Sequence, residues 1–134
     1  MPLFLWKPSY ELGVPEIDSD HRQLVGMINQ LYKAMKDGQG QAMRDQTIDS
    51  LISYIGGHFE TEESFMRLCN YPLIGDHLEA HRAFREELQQ MARGREAGSS
   101  PSPTELLAFL CDWMRDHVTT ADKELAVFLE QFKA

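Results

Sequence analysis

QAMRDQTIDSLISYIGGHFETEESFMRLC, residues 41–69, decides the fold. Within it Ile48, Leu51, Ile55, Phe59 and Met66 recur at steps of three, four, four and seven. That is the period of an amphipathic helix with one apolar face. Asn70-Tyr71-Pro72 then stops it, because proline lacks the N–H a helix interior needs. Upstream, Leu24, Ile28, Leu31 and Met35 give the same signature over Ser19–Lys36. Asp18 or Ser19 can cap that segment, and Asp37-Gly38-Gln39-Gly40 ends it. Downstream, a third helix is expected from Leu73 or Gly75 to Arg93, with Ile74, Phe84, Leu88 and Met91 in phase. A fourth starts near Pro103 or Thr104 and carries Leu106, Leu110 and Trp113.

Between the third and fourth helices, residues 94–103 are rich in Gly, Ser and Pro and read as an exposed loop. Residues 1–17 hold Pro2, Pro8, Gly13 and Pro15 and are expected to form a non-helical arm. Its aromatics Phe4, Trp6 and Tyr10 would pack on the domain. Strict apolar–polar alternation is absent, so no strand is expected. Amphipathic helices joined by short connections pack antiparallel. The expected architecture is therefore all-α: one domain over residues 1–134, an up-down-up-down four-helix bundle with an N-terminal arm and a short C-terminal helix.

Composition narrows the function. The chain of 134 residues is 43% apolar and 25% charged, which excludes a disordered tail and a disulfide-stapled miniprotein. A net charge of −8 repels phosphate backbones, so no nucleic-acid partner is expected. No apolar run approaches the ~18–20 residues that span a bilayer, and the first residues lack the basic start of a signal peptide. A cytoplasmic protein without membrane insertion is expected. Cys69 and Cys111 show no C-x-x-C spacing and read as small buried hydrophobes.

The five histidines all fall on the apolar stripes of their helices. His21 extends the 24-28-31-35 series backwards, His58 follows Ile55 by three, His77 and His81 lie between Ile74 and Phe84, and His117 follows Trp113 by four. At about 1.5 Å rise per residue, all five lie roughly 20–27 Å from the bundle end that holds the 37–40 turn. Imidazoles from four helices thus meet in one layer, where buried polar groups need partners. Glu62, one turn after His58, joins that layer, while Glu60 and Glu63 are expected to be solvated. Asp122 comes five residues after His117, about 140° away on a regular helix. A helix break at Val118-Thr119-Thr120-Ala121 is expected to turn it inward, with a last helix over Lys123–Phe132. Five nitrogens and two carboxylates exceed one tetrahedral zinc and suit two bridged ions, iron first, with manganese or zinc possible. Gly56-Gly57, inside the second helix, marks either a bulge or a close helix contact.

The pattern His21, His58-x-x-x-Glu62, His77-x-x-x-His81 and His117-x-x-x-x-Asp122 resembles the hemerythrin family, its single-domain bacterial form (bacteriohemerythrin) in particular. The likeness extends to Trp6, the Gly13–Asp18 approach to His21, Tyr71-Pro72 before His77, and Trp113 before His117. It implies a non-heme centre of two Fe ions (Fe2+/Fe3+) with a bridging oxo or hydroxo group that binds O2 reversibly. By position, His77, His81 and His117 would hold one iron, His21 and His58 the other, and Glu62 and Asp122 would bridge them. Three histidines against two would leave one open position. Leu24, Phe59, Trp113, Met114 and Val118 would wall it as an O2 pocket, with Met114 where a leucine is expected. The implied role is oxygen carriage, storage or delivery, not catalysis, in a protein expected to be monomeric. An oxygen-consuming enzyme or an electron donor is a possible partner. The alternatives are an O2 or redox sensor working through a separate partner, or peroxide or nitric oxide turnover at the same centre.

Overall fold

The computed structural model describes residues 3, 4 and 6–132, apart from the side chain of Ser9. Four helical rods form the bundle: α1 (Pro15–Lys36), α2 (Gly40–Leu68), α3 (Ile74–Ala97), and a last rod made of α4 (Pro103–Trp113), a π-helical segment (Met114–Ala121) and α5 (Asp122–Leu129). Short 3-10 turns at Pro8–Tyr10 and Glu130–Phe132 flank it. α1 packs on α2, α2 on α3, and α4 on α1 and α2. No strand occurs among the described residues, and no helix there is long and apolar enough to cross a membrane.

The stripes read from the sequence meet in one large core. Leu24, Ile28 and Leu31 face Ile48, Leu51, Ile55 and Phe59, with Phe84, Leu88, Leu106 and Leu110 from the other rods. Met66, Tyr71 and Leu125 form a smaller cluster further along the bundle. Between the two clusters lies the histidine layer: His58 adjoins Phe59 and Glu62 falls between Phe59 and Met66, while His117 adjoins Val118 and Asp122 falls between Val118 and Leu125.

Three boundaries differ from the sequence expectation. The arm is shorter, because Pro15 is the first helical residue rather than a breaker; a proline loses no hydrogen bond there. The described arm residues are tied down: the Asn29 side chain donates to the Phe4 carbonyl and accepts from its N–H, both at 2.8 Å. Asp18 accepts from Leu12 and Gly13 N–H at 2.8 and 3.1 Å. Phe4 and Trp6 pack against the large core, as expected, and both contact the Tyr10 ring. Met1, Pro2 and Leu5 lie outside the described residues.

The 94–103 loop contracts to residues 98–102, and Gly94 is buried rather than exposed. α3 runs on to Ala97, and Gly98 then turns left-handed at φ 73°. Ser99 N–H reaches the Gly94 carbonyl at 2.8 Å and Gly98 N–H that of Arg95, a Schellman closure. A Cβ on Gly94 would lie 2.8 Å from Ser99 Oγ and 3.1 Å from its carbonyl oxygen, so the closure requires glycine there. α4 opens with a capping box: Glu105 N–H donates to Ser102 Oγ at 3.1 Å, and Ser102 N–H to Glu105 Oε1 at 3.0 Å.

The expected break at residues 118–121 does not occur. The rod stays helical and widens into π geometry over Met114–Ala121. Asp122 N–H donates to the His117 carbonyl, an i to i+5 bond that puts the two residues one turn apart on one face. Thr119 Oγ1 and Thr120 Oγ1 donate to the Arg115 carbonyl at 2.6 and 3.4 Å, giving that widened turn extra hydrogen bonds. The final helix is accordingly α5, Asp122–Leu129, followed by a 3-10 turn, instead of a helix over 123–132. Gly56 and Gly57 mark neither a bulge nor a close contact: α2 is regular there, and a Cβ on either would meet nothing within 4 Å.

Candidate metal centre

Each rod delivers its share of the polar layer: His21 from α1, His58 and Glu62 from α2, His77 and His81 from α3, His117 from the π segment and Asp122 from α5. All seven side chains are buried. The i, i+4 pairs on α2 and α3 share a face by helical geometry, and the π turn does the same for the i, i+5 pair.

All five imidazoles turn Nε2 toward the two carboxylates. Glu62 Oε1 lies 3.0 Å from His77 Nε2 and 3.1 Å from His81 Nε2, while Oε2 lies 3.1 Å from His58 Nε2 and 3.6 Å from His21 Nε2. Asp122 Oδ1 lies 2.9 Å from His77 Nε2 and 3.2 Å from His117 Nε2, and Oδ2 lies 3.0 Å from His21 Nε2. Thus each carboxylate gives one oxygen to a three-histidine group and the other to a two-histidine group. The donor atoms fall into two sets, each within 4.8 Å: Glu62, His77, His81, His117 and Asp122, and His21, His58, Glu62 and Asp122.

Protein partners alone leave this layer unsatisfied. Nε2 of His21, His81 and His117, both Asp122 oxygens and Glu62 Oε2 are buried without a well-formed hydrogen bond. Unpaired buried polar atoms cost on the order of 1–3 kcal/mol each. So many of them, gathered in two groups within one layer, fit cations that accept several donors at once. Imidazole with carboxylate is a suitable donor set for a first-row transition metal.

The electrostatics of the metal-free layer follow from its pairing. Burial lowers the pKa of His58, but hydrogen bonds to Asp20 and Glu62 outweigh it and raise it to about 10. Burial likewise opposes charge on His77, and Asp122 and Glu62 reverse this to about 9. Desolvation would raise Glu62, yet the four facing imidazoles hold it well below the usual carboxylate range. Asp122 is lowered as well, with burial and the Glu62 charge opposing and His117, His21 and His77 prevailing.

The backs of two imidazoles carry carboxylates that periodicity did not reveal. His58 Nδ1 faces Asp20 Oδ2 at 3.0 Å, and His81 Nδ1 faces Glu63 Oε2 at 3.0 Å. Glu63 is thus half-buried against a neighbouring rod instead of solvated, whereas Glu60 is exposed as expected. Tyr54 stacks on His58 with ring centres 5.3 Å apart and donates its hydroxyl to the Asp20 carbonyl at 2.6 Å. An acidic residue directly beside His21 or Glu62 in the sequence was the available signal for both carboxylates.

Apolar groups cover the layer on the large-core side. Leu24, Phe59, Met114 and Val118 are buried, and Trp113 is half-buried. Phe59 stacks on His81 at 3.8 Å and Trp113 on His117 at 4.0 Å. Cys69 and Cys111 are free thiols, half-buried rather than fully enclosed.

The helical rods and the buried histidine–carboxylate layer define a metal-binding four-helix bundle. The family model for the hemerythrin HHE cation binding domain matches residues 12–129. The chain belongs to the hemerythrin family. It is similar to a bacteriohemerythrin of Stenotrophomonas maltophilia, 30% identical over 134 residues, which are 100% of this chain and 84% of that protein. A bacteriohemerythrin of Clostridium acetobutylicum is 25% identical over 91% of this chain and 98% of its own length. In fold it matches a crystal structure of a hemerythrin with one leucine replaced by alanine, at a TM-score of 0.84 and 24% identity, covering 96% of this chain and 98% of that one.

Proposed function

We propose that the chain binds O2 reversibly at a non-heme di-iron centre and serves as an oxygen carrier, store or supplier. The observation that carries this reading is the division of the donors: three imidazoles and two carboxylate oxygens on one side, two imidazoles and the other two oxygens on the second. His77, His81 and His117 would hold one iron, and His21 and His58 the other. Glu62 and Asp122 would bridge the two. The shortfall of one imidazole on the side of His21 and His58 would leave room there for a small ligand. An iron pair held by these residues would supply the two electrons that reversible O2 binding requires.

The chain's own part is to hold that position dry. Leu24, Phe59, Trp113, Met114 and Val118 are proposed as the pocket wall, and none carries an acid that could protonate a bound ligand. A carrier needs this poverty of proton donors, while catalytic turnover needs a proton delivered at the right atom. All five imidazoles are buried, and His58, His81 and His117 are also stacked on aromatic rings, so that a ligand can come and go without rearranging the donors.

The test is to load the protein with iron, reduce it without air, admit O2 and then remove it. A visible absorption band that appears and disappears through repeated cycles is expected. Irreversible oxidation at first exposure, or rapid consumption of peroxide or nitric oxide, would overturn the carrier reading in favour of catalysis.

A further inference from the structure

We infer that Asp20 and Glu63 are positioning residues of the metal centre, one for each half, and that Asp20 exerts the stronger pull. The inference rests on the two-metal reading above. Once Nε2 of a neutral imidazole is given to a metal, its one proton sits on Nδ1, which must then donate. Two of the five rings have a carboxylate placed to accept it: His58 from Asp20 and His81 from Glu63, both at 3.0 Å. These two rings belong to different donor groups. Each is held on its face as well, His58 by Tyr54 with 13° between planes and His81 by Phe59 with 3°. Among the described residues no carboxylate stands behind His21, His77 or His117, and His21 Nδ1 is buried without a partner.

The two carboxylates are not equivalent. Glu63 also faces Arg67 Nη2 at 3.6 Å, so part of its charge is answered from outside. Asp20 has no ion pair with Lys or Arg among the described residues. A carboxylate that accepts from Nδ1 raises the basicity of the ligating nitrogen. Asp20 does so undiluted, and in the half with two imidazoles, where one ring is a larger share of the donor set. The half proposed to meet the small ligand is therefore the half that depends on an uncompensated carboxylate. Both side chains keep some exposure, 25% for Asp20 and 16% for Glu63, so amide replacements open no cavity.

The experiment is a titration of the metal-free protein with cobalt(II), followed by its visible bands and by competition with a chelator. The unaltered chain should take two equivalents. Asp20→Asn should weaken one equivalent about 10–100-fold, the range for losing such a partner, and leave the other within about twofold. Glu63→Gln should weaken the other equivalent, by less. Asp20→Glu should recover part of the loss, which a merely structural role would not predict. In the iron-loaded protein, Asp20→Asn should raise the reduction potential of the pair. If Asp20→Asn and Glu63→Gln both bind two equivalents as the unaltered chain does, or if either weakens both equally, the inference is overturned while the two-metal reading stands. If the unaltered chain does not take two equivalents, the two-metal reading falls and the inference with it.

Discussion

Replacing Gly56 and Gly57 with alanine should stabilise the protein. Both sit inside α2, both are exposed, and a Cβ on either meets nothing within 4 Å. Neither glycine has the positive φ that would require it. A glycine in a helix interior costs about 1 kcal/mol relative to alanine, mainly through the freedom of the unfolded chain. The pair therefore withholds about 2 kcal/mol. At ~2.1 cal/mol/K per residue, unfolding a chain of this length carries an entropy of roughly 0.28 kcal/mol/K, so the double variant should melt about 7 °C higher. Thermal unfolding of the metal-free proteins, by far-ultraviolet circular dichroism, reads this directly. Metal uptake should not change, because neither glycine touches a ligand. A double variant that melts at or below the parent would refute the reasoning, and would mean that α2 must deform just before His58.

His77→Ala should lose metal and stability together, because binding free energy at such a site adds to folding free energy; unchanged iron content by elemental analysis would contradict it. Removing the metal should expose a characteristic pH response. The raised pKa values of His77, about 9, and His58, about 10, contribute stability fully present below 6.5 and lost as pH climbs through 9 and 10. The lowered carboxylates Glu62 and Asp122 act oppositely, their contribution fading as pH falls below the ordinary carboxylate range. Chelator-stripped protein should thus melt highest just below pH 6.5 and weaken steadily toward pH 10; a flat melting profile would count against the pairing described. Ser102→Ala removes the α4 capping box and should cost about 1 kcal/mol, seen as a lower denaturation midpoint at unchanged slope.

The bundle was legible in the sequence because Ile48, Leu51, Ile55 and Phe59 repeat with one period, and a helix facing a core must repeat that way. The same stripes carried the histidines, so the layer was legible from spacing alone. Asp122 was legible only in part. Its five-residue offset demanded a departure from regular helix, but a break and a π turn satisfy that demand equally, and the choice depends on packing. Pro15 and Gly94 misled for a related reason. A proline at the first helical position and a glycine under a Schellman closure look locally like terminators, and only the chain around them gives the opposite meaning. Glu63 lies about 100° from Glu62 on α2, which pattern alone reads as solvent. Its length lets it reach His81 on α3, a contact written in the spacing between rods and not in either stretch of sequence.

The histidine layer cuts the apolar interior in two. Fourteen buried residues lie on one side, and Met66, Tyr71 and Leu125 on the other. With only Cys69, Ile74, Leu78, Phe128 and Leu129 half-buried around those three, the short end has much the smaller core. The polar stratum above it carries a larger share of its cohesion, and a pair of ions would act there as rivets. Stripped of them, the short end should loosen before the long one, so amide protons around residues 66–74 and 122–129 should exchange first.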